Sequence, residues 1–369
     1  MVFATMEIAL ITTIDHNVGD DFVRLGLQFL LRQVFSKEQL YFNLIHKHAP
    51  LSSRLIFKSV RNAFWGKWID GMLPVAWTQD VLRRADLIIQ CGAPTAWCHP
   101  SCHSHSYQNE WFKNLIVRRK ISRHQFWNIG GGSCMKYHQD DGVLCERCQR
   151  YILELTSSAQ KTIIRDRVIL KMYQSLGYEI PHGPCPSLFC SEALNERPPA
   201  GQYVVINYMP HGGHYTYGQK IDHKKWRNTL LQFYMLLRQQ ERVVFIAHDH
   251  SEATVTRQYF PDAEIFNGEK NPLATLKMYA AAKYGFVNRV HGALAMASFG
   301  IPSFVIGSDT RSTMIENFDL KHQFVGDIEL NDLLREWKNL QARQTNYQQT
   351  ITELKDTTLK NYIQWLTKP

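Results

Sequence analysis

The stretch YGFVNRVHGALAMASFGIPSFVIGSDTRSTMIE (284–316) carries the strand–helix–strand signal from which the architecture is read. Its opening apolar run predicts a strand ending at Asn288, followed by a tight turn through Arg289, His291 and Gly292 into a helix of small residues. Gly300 and Pro302 stop that helix, and PSFVIG (302–307) begins the next strand, whose end carries Asp309 and Arg311. Strand, helix and strand in this spacing form a parallel unit wrapped by helices. Two successive strand ends then deliver a histidine and arginines to one crevice, because ligands in such sheets sit beyond the carboxyl ends of the strands.

The same alternation extends in both directions. Toward the N-terminus, YVVINY (203–208), a helix over about 224–240, RVVFIAHD (242–249), EIFNG (264–268) and a helix ending near Lys283 complete one doubly wound unit. Before it, CSEALNERPPAG (190–201) breaks the pattern with polar residues, Pro198, Pro199 and Gly201. Earlier still, EIALITT (7–13), DLIIQCG (86–92), FWNIGGG (126–132) and KTIIRD (161–166) read as strands, and 21–34 as the first helix. Beyond Asn331 no strand signal remains, and Leu333, Trp337, Leu340, Ile351, Leu354 and Leu366 have helical spacing. The expected architecture is α/β, with two Rossmann-like domains facing a cleft in the GT-B manner and a helical C-terminal tail. The expected divisions are 1–192, 200–330 and 331–369, the first on the acceptor side and the second on the donor side.

The length of 369 residues suits two domains, and 44% apolar with 20% charged residues suits a folded chain. Lys and Arg number 42 against 33 Asp and Glu, a formal charge of +9 that attracts anions. The basic residues are scattered and form no RNP, zinc-finger or basic-zipper pattern, so nucleic acid is not an expected partner. Phosphorylated small molecules and anionic lipid head groups remain, the latter by peripheral contact with the inner face of a membrane. The run from Ile8 to Ile14 lacks the basic opening and cleavage site of a signal peptide, and no apolar stretch reaches spanning length. The cytoplasm is the expected compartment; the oligomeric state is not legible.

Three further segments carry candidate chemistry. In DHNVGDDF (15–22), Gly19 permits a tight turn while Asn17, Asp20 and Asp21 can cap the first helix, whose free N–H groups face the cleft. The competing account is a simple capped turn. In IIRDRVILKMYQSLGYEI (163–180), Arg165 projects from a strand end, where its planar fork suits a carboxylate or phosphate, and Asp166 either neutralises it or caps the following helix. PHGGHYTYG (210–218) offers His211 and His214 at another strand end, and AHDHSEA (247–253) offers Asp249 and His250. For His291 the alternative to a functional role is a satisfied structural histidine.

Taken in order, N-x-G-D at 17–20, a strand followed by Arg165-Asp166 with a helix ending in Leu-Gly, and R-x-H-G-A at 289–293 with G-I-P at 300–302 resemble the polysaccharide pyruvyl transferases. DLIIQCG is similar to that family's strand ending in paired glycines, with Cys91 where a glycine is commoner. The resemblance implies two Rossmann-like halves and transfer of the enolpyruvyl unit of phosphoenolpyruvate to two hydroxyls of a sugar, free or lipid-linked. The product is a cyclic ketal, phosphate is released, and no cofactor is required. It also implies donor-binding cations at Arg165, His291 and Arg311, with Arg289 beside them. His291 is then the expected general acid and Asp20 the expected base, with Asn17, Gly19, His211 and His214 as acceptor or loop positions.

Eight cysteines depart from that pattern. Cys134, Cys145 and Cys148 in 130–148, joined by Cys185, form the expected four-thiolate set for a structural zinc or an iron–sulfur cluster; the alternative is four buried small side chains. WCHPSCHSHS (97–106) adds a denser group, with Cys98, His99, Cys102, His103 and His105. Two rival functions follow from these features. One is a nucleotide-sugar glycosyltransferase on the same fold, disfavoured because the segment after His291 lacks the paired glutamates that hold ribose. The other is a non-catalytic metal-binding protein.

Overall fold

The computed structural model describes residues 4–14, 17–47, 80–99, 103–109 and 125–368. The short apolar runs become parallel strands, since a run covered on both faces gains nothing from alternation. The first group comprises β1 (Ala4–Thr12), β2 (Glu38–His46), β3 (Leu87–Cys91), β4 (Pro94–Ala96), β5 (Cys98–His99), β6 (Ser104–His105), β7 (Gln125–Ser133) and β8 (Lys161–Ile164). A parallel sheet runs β2-β1-β3-β7-β4, with β8 also on β7, while β5 and β6 pair antiparallel as a separate ribbon. Helices α1 (Val18–Val34), α2 (Glu146–Ser158) and α3 (Arg167–Ser175) accompany this sheet.

The second group comprises β9 (Tyr203–Asn207), β10 (Val243–Ala247), β11 (Glu264–Asn267), β12 (Ala282–Val287), β13 (Ser303–Gly307) and β14 (Lys321–Phe324). They form an all-parallel sheet in the order β11-β10-β9-β12-β13-β14. Helices α4 (His223–Leu237), α5 (His250–Tyr259), α6 (Pro272–Ala280) and α7 (Val290–Ser298) connect its strands, and α8 (Leu330–Thr367) follows. In each sheet the order reverses beside one strand, β1 in the first and β9 in the second. A crevice opens at such a point because the flanking connections leave on opposite faces.

The seam between the sheets is apolar. Phe22 of α1 meets Tyr279 of α6 and His248 edge-on, and Phe22, Leu27, Ala293, Leu294 and Met296 share one core. At Gly26 a side chain would lie 1.8 Å from the Pro186 carbonyl oxygen, so glycine permits the close approach of α1 to 186–193. The tail is a single helix that binds both halves. The Trp337 indole N–H donates to the Tyr284 hydroxyl (2.7 Å) near its start, and the Tyr362 hydroxyl donates to the Pro184 carbonyl (2.9 Å) near its end.

Two edge strands, β2 and β14, are only partly covered: nearly all their residues are exposed or half-buried, unlike those of the central strands. The first helix begins at Val18, three residues before its first expected member, since Asn17 caps it by accepting from the Gly19 N–H (3.1 Å).

Candidate active site

The floor of the site is built by two asparagines at strand ends. Asn207, closing β9, donates to the Ile246 carbonyl (2.9 Å) and to Glu252 (3.1 Å), and accepts from the Arg289 N–H (2.8 Å). Asn288, just past β12, accepts from the Met209 N–H (2.7 Å) and donates to the Ile306 carbonyl (2.6 Å). The carboxyl ends of β9, β10, β12 and β13 are thereby joined into one surface from which Arg289, His291 and Asp309 rise.

The opposite wall comes from the first sheet and centres on Arg165. Its side chain is fully buried, and Nη1 donates to the Gly92 carbonyl (2.5 Å). Nε and Nη2 have no partner, and among the described residues no carboxylate lies within ion-pair distance. Asp166 does not neutralise it. That carboxylate caps α3 through the Ile169 N–H (2.9 Å) and binds the Ser133 N–H (2.7 Å) and hydroxyl (2.9 Å). Gly132 makes the arrangement possible, because a Cβ there would lie 2.7 Å from Arg165 Nε. A buried guanidinium with unpaired donors is costly unless an anion completes it.

His291 and Asp20 complete this cavity with Arg165, Arg311, Asn17 and His214. Burial and then the charge of Arg165, with Arg311 and Arg289 behind it, push the His291 pKa down to about 3 against the opposing pull of Asp20. His291 is therefore neutral at pH 7, with Nδ1 4.0 Å from Asp20 Oδ1 and a buried Nε2 that has no partner. Burial works to raise the Asp20 pKa, but Lys47, 3.8 Å away, leads the groups that outweigh it and hold the carboxyl below its usual range.

The remaining cations are compensated by neighbours. Arg311 makes a forked pair with Asp309 (Nε–Oδ1 2.8 Å, Nη2–Oδ2 2.6 Å) under the ring of Tyr215. Arg289 is held by Asp249 (2.8 Å), Glu252 and His214. His214, Asp249 and Glu252 are close enough to suit a metal, but the Arg289 guanidinium already sits among them. Of the other expected positions, Asn17 lines the cavity and Gly19 packs on His291, whereas His211 turns toward His223 and is not among the lining residues.

A second, larger cavity of about 560 Å³ adjoins the first. Trp97, Tyr215 and Tyr217 face it, with Lys47, Ser104 and Asn109 supplying polar groups. Tyr217 stacks on His99 and meets Cys134 Sγ at 2.9 Å, so this wall joins both halves of the chain.

The expected four-thiolate set does not form. Cys134 is engaged by Tyr217, and Cys185 lies under Arg165 (3.7 Å from Nη1). Cys145 and Cys148 instead converge with Cys98 and His105. Chain spacing misled here because the β5–β6 ribbon, 40 residues upstream, folds over the start of α2. Cys102 lies outside the described residues. Asn207, Glu252 and His248 belong to the site without being among the expected positions, although Asn207 ends its strand as Asn288 does, a repeat legible in YVVINY and YGFVN.

A family model described as polysaccharide pyruvyl transferase matches residues 17–310. Among solved structures, a putative UDP-N-acetylglucosamine 2-epimerase from Listeria monocytogenes aligns over 94% of this chain and 91% of its own, with 8% identity and a TM-score of 0.54. The UDP-GlcNAc 2-epimerase of Methanocaldococcus jannaschii, complexed with UDP-GlcNAc and UDP, aligns over 96% and 99%, with 8% identity and a TM-score of 0.51. At such identities the likeness concerns the fold, which is of the GT-B type. No curated protein matches the chain.

Proposed function

The chain belongs to the polysaccharide pyruvyl transferase family, and from that premise we propose that it moves a pyruvyl group from phosphoenolpyruvate onto two hydroxyls of one sugar. The observation that carries this reading is the buried, unpaired Arg165 facing the same cavity as neutral His291. A small donor with a phosphate and a carboxylate supplies the charge that Arg165 lacks, and Arg311 and the buried Nε2 of His291 offer further contacts.

Donor binding also prepares the acid. Negative charge beside Arg165 and Arg311 offsets the field that keeps His291 neutral, so the bound donor raises its proton affinity. His291 then passes a proton to the methylene carbon of the donor, and the oxygen of a sugar hydroxyl bonds to the central carbon while Asp20 takes the hydroxyl proton. The second hydroxyl bonds to the same carbon as the carbon–oxygen bond to phosphate breaks; its proton leaves with the phosphate, the arginines stabilise that leaving group, and Asp20 returns the first hydroxyl proton to His291. One donor and one diol give one ketal and one phosphate, with no cofactor. The acceptor occupies the aromatic cavity beside Trp97 and Tyr215. We place the reaction on the cytoplasmic side. Among the described residues, no helix is long and apolar enough to cross a membrane, and a lipid-linked acceptor reaches the site by peripheral contact.

Incubation with phosphoenolpyruvate and a panel of glycans, free and lipid-linked, tests the reading. Phosphate should appear only when an acceptor is present, with a product heavier by one pyruvic acid less one water. Consumption of a nucleotide sugar without any binding of phosphoenolpyruvate overturns it in favour of glycosyl transfer.

A further inference from the structure

The β5–β6 ribbon is too short to hold itself, since two residues pair with two. Cys98 and His105 face each other across it in register. Cys145 is the N-cap residue of α2 and Cys148 lies in its first turn, so the C-x-x-C spacing turns both thiols toward the ribbon. His105 Nδ1 lies 3.4 Å from Cys98 Sγ and 3.8 Å from each of Cys145 Sγ and Cys148 Sγ. All four ligand atoms lie within 4.8 Å of one another.

Hydrogen bonding does not account for this convergence, because one ring nitrogen has a single in-plane position for a donor or acceptor. Three sulfurs and one nitrogen are instead the corners of a tetrahedron. With zinc–sulfur bonds of about 2.3 Å and zinc–nitrogen bonds of about 2.0–2.1 Å, the sulfur–nitrogen edges are about 3.6 Å and the sulfur–sulfur edges about 3.8 Å. The three sulfur–nitrogen separations bracket that value.

We propose that Cys98, His105, Cys145 and Cys148 bind one zinc ion in a closed Cys3His site that clamps the β5–β6 ribbon to the start of α2. Four protein ligands leave no position for substrate, so the ion is structural. Four iron atoms, each bonded to a different ligand, would need the ligand atoms farther apart than they lie. The functional consequence runs through Trp97 and Ser104, which flank the ligands on the ribbon and face the larger cavity. Clamping the ribbon fixes that wall.

The full chain, purified under reducing conditions, should contain one zinc per molecule by elemental analysis. The cobalt-substituted protein should show thiolate-to-metal charge transfer and the intense ligand-field bands of a tetrahedral site. Cys148→Ser and Cys98→Ser should lose the metal, while Cys134→Ser and Cys185→Ser keep it. Because a ligand variant can fail to fold, His105→Cys provides a second measurement: it should retain cobalt with stronger charge transfer from a fourth thiolate. Chelation of the wild-type protein should expose the ribbon to protease. Reduced protein that takes up neither zinc nor cobalt, metal that survives Cys148→Ser, an iron–sulfur spectrum, or a native disulfide among these cysteines would each overturn the proposal.

Discussion

His291 Nδ1 stands 4.0 Å from Asp20 Oδ1, although the two residues occupy the first turns of α7 and α1, which follow strands of different sheets. Gly19 allows that meeting, since a Cβ at this position would lie 2.9 Å from the Cβ of His291. The proton donor and acceptor of the proposed reaction thus come from opposite halves of the molecule. Four expectations follow from this geometry and its surroundings.

Replacing His291 with Ala should lower kcat by roughly 10²–10⁴-fold, the span of general acid catalysis, with a smaller change in donor affinity. His291→Gln should be equally slow, because an amide keeps a polar contact to phosphate but does not deliver a proton to carbon. Steady-state kinetics together with direct binding of phosphoenolpyruvate separate the two effects. A Gln variant with near-normal kcat would remove the acid role and leave a phosphate contact.

The same histidine should make stability sensitive to acid. Its pKa is near 6.5 in an unfolded chain and about 3 in the ligand-free fold, so between these values the unfolded chain binds more protons. The stabilising contribution is complete above about pH 6.5 and is lost as the pH falls toward 3. Denaturant midpoints measured from pH 7 to pH 4.5 should drop more steeply for wild type than for His291→Gln. Parallel curves would show that His291 titrates normally.

Arg165→Ala should raise the dissociation constant for phosphoenolpyruvate by about 30-fold or more, corresponding to at least about 2 kcal/mol for a buried charge that has lost its partner. The ligand-free protein should not melt earlier, because the substitution removes a buried cation that no carboxylate pairs. Thermal shift with and without donor reads both quantities at once. A variant that keeps wild-type donor affinity contradicts the assignment of the anion site.

Trp97→Ala should act on the acceptor alone. Losing an apolar platform of about 1–2 kcal/mol raises the acceptor KM by roughly 5–30-fold while donor affinity stays unchanged. Kinetics with the acceptor identified by product mass provide the measurement. An unchanged acceptor KM moves the sugar out of this cavity.

Sequence alone sets the alternation of strand and helix, because periodicity and turn residues act over a few neighbours. It therefore put Arg165, Arg289, His291 and Arg311 at strand ends, where a parallel sheet opens its crevice. It did not reveal which of these cations stay uncompensated. Arg289 meets Glu252 and Asp249 across about 40 residues, and Arg311 turns back onto Asp309, while Asp166 leaves Arg165 to bind Ser133. Nor did it pair the cysteines: the C-x-x-C element was visible, but its companions Cys98 and His105 are chosen by a ribbon that folds back over α2. Local spacing sets what each segment becomes, whereas charge compensation and ligand sets depend on side chains brought together by packing across the two sheets. Those distances exist only in the folded chain.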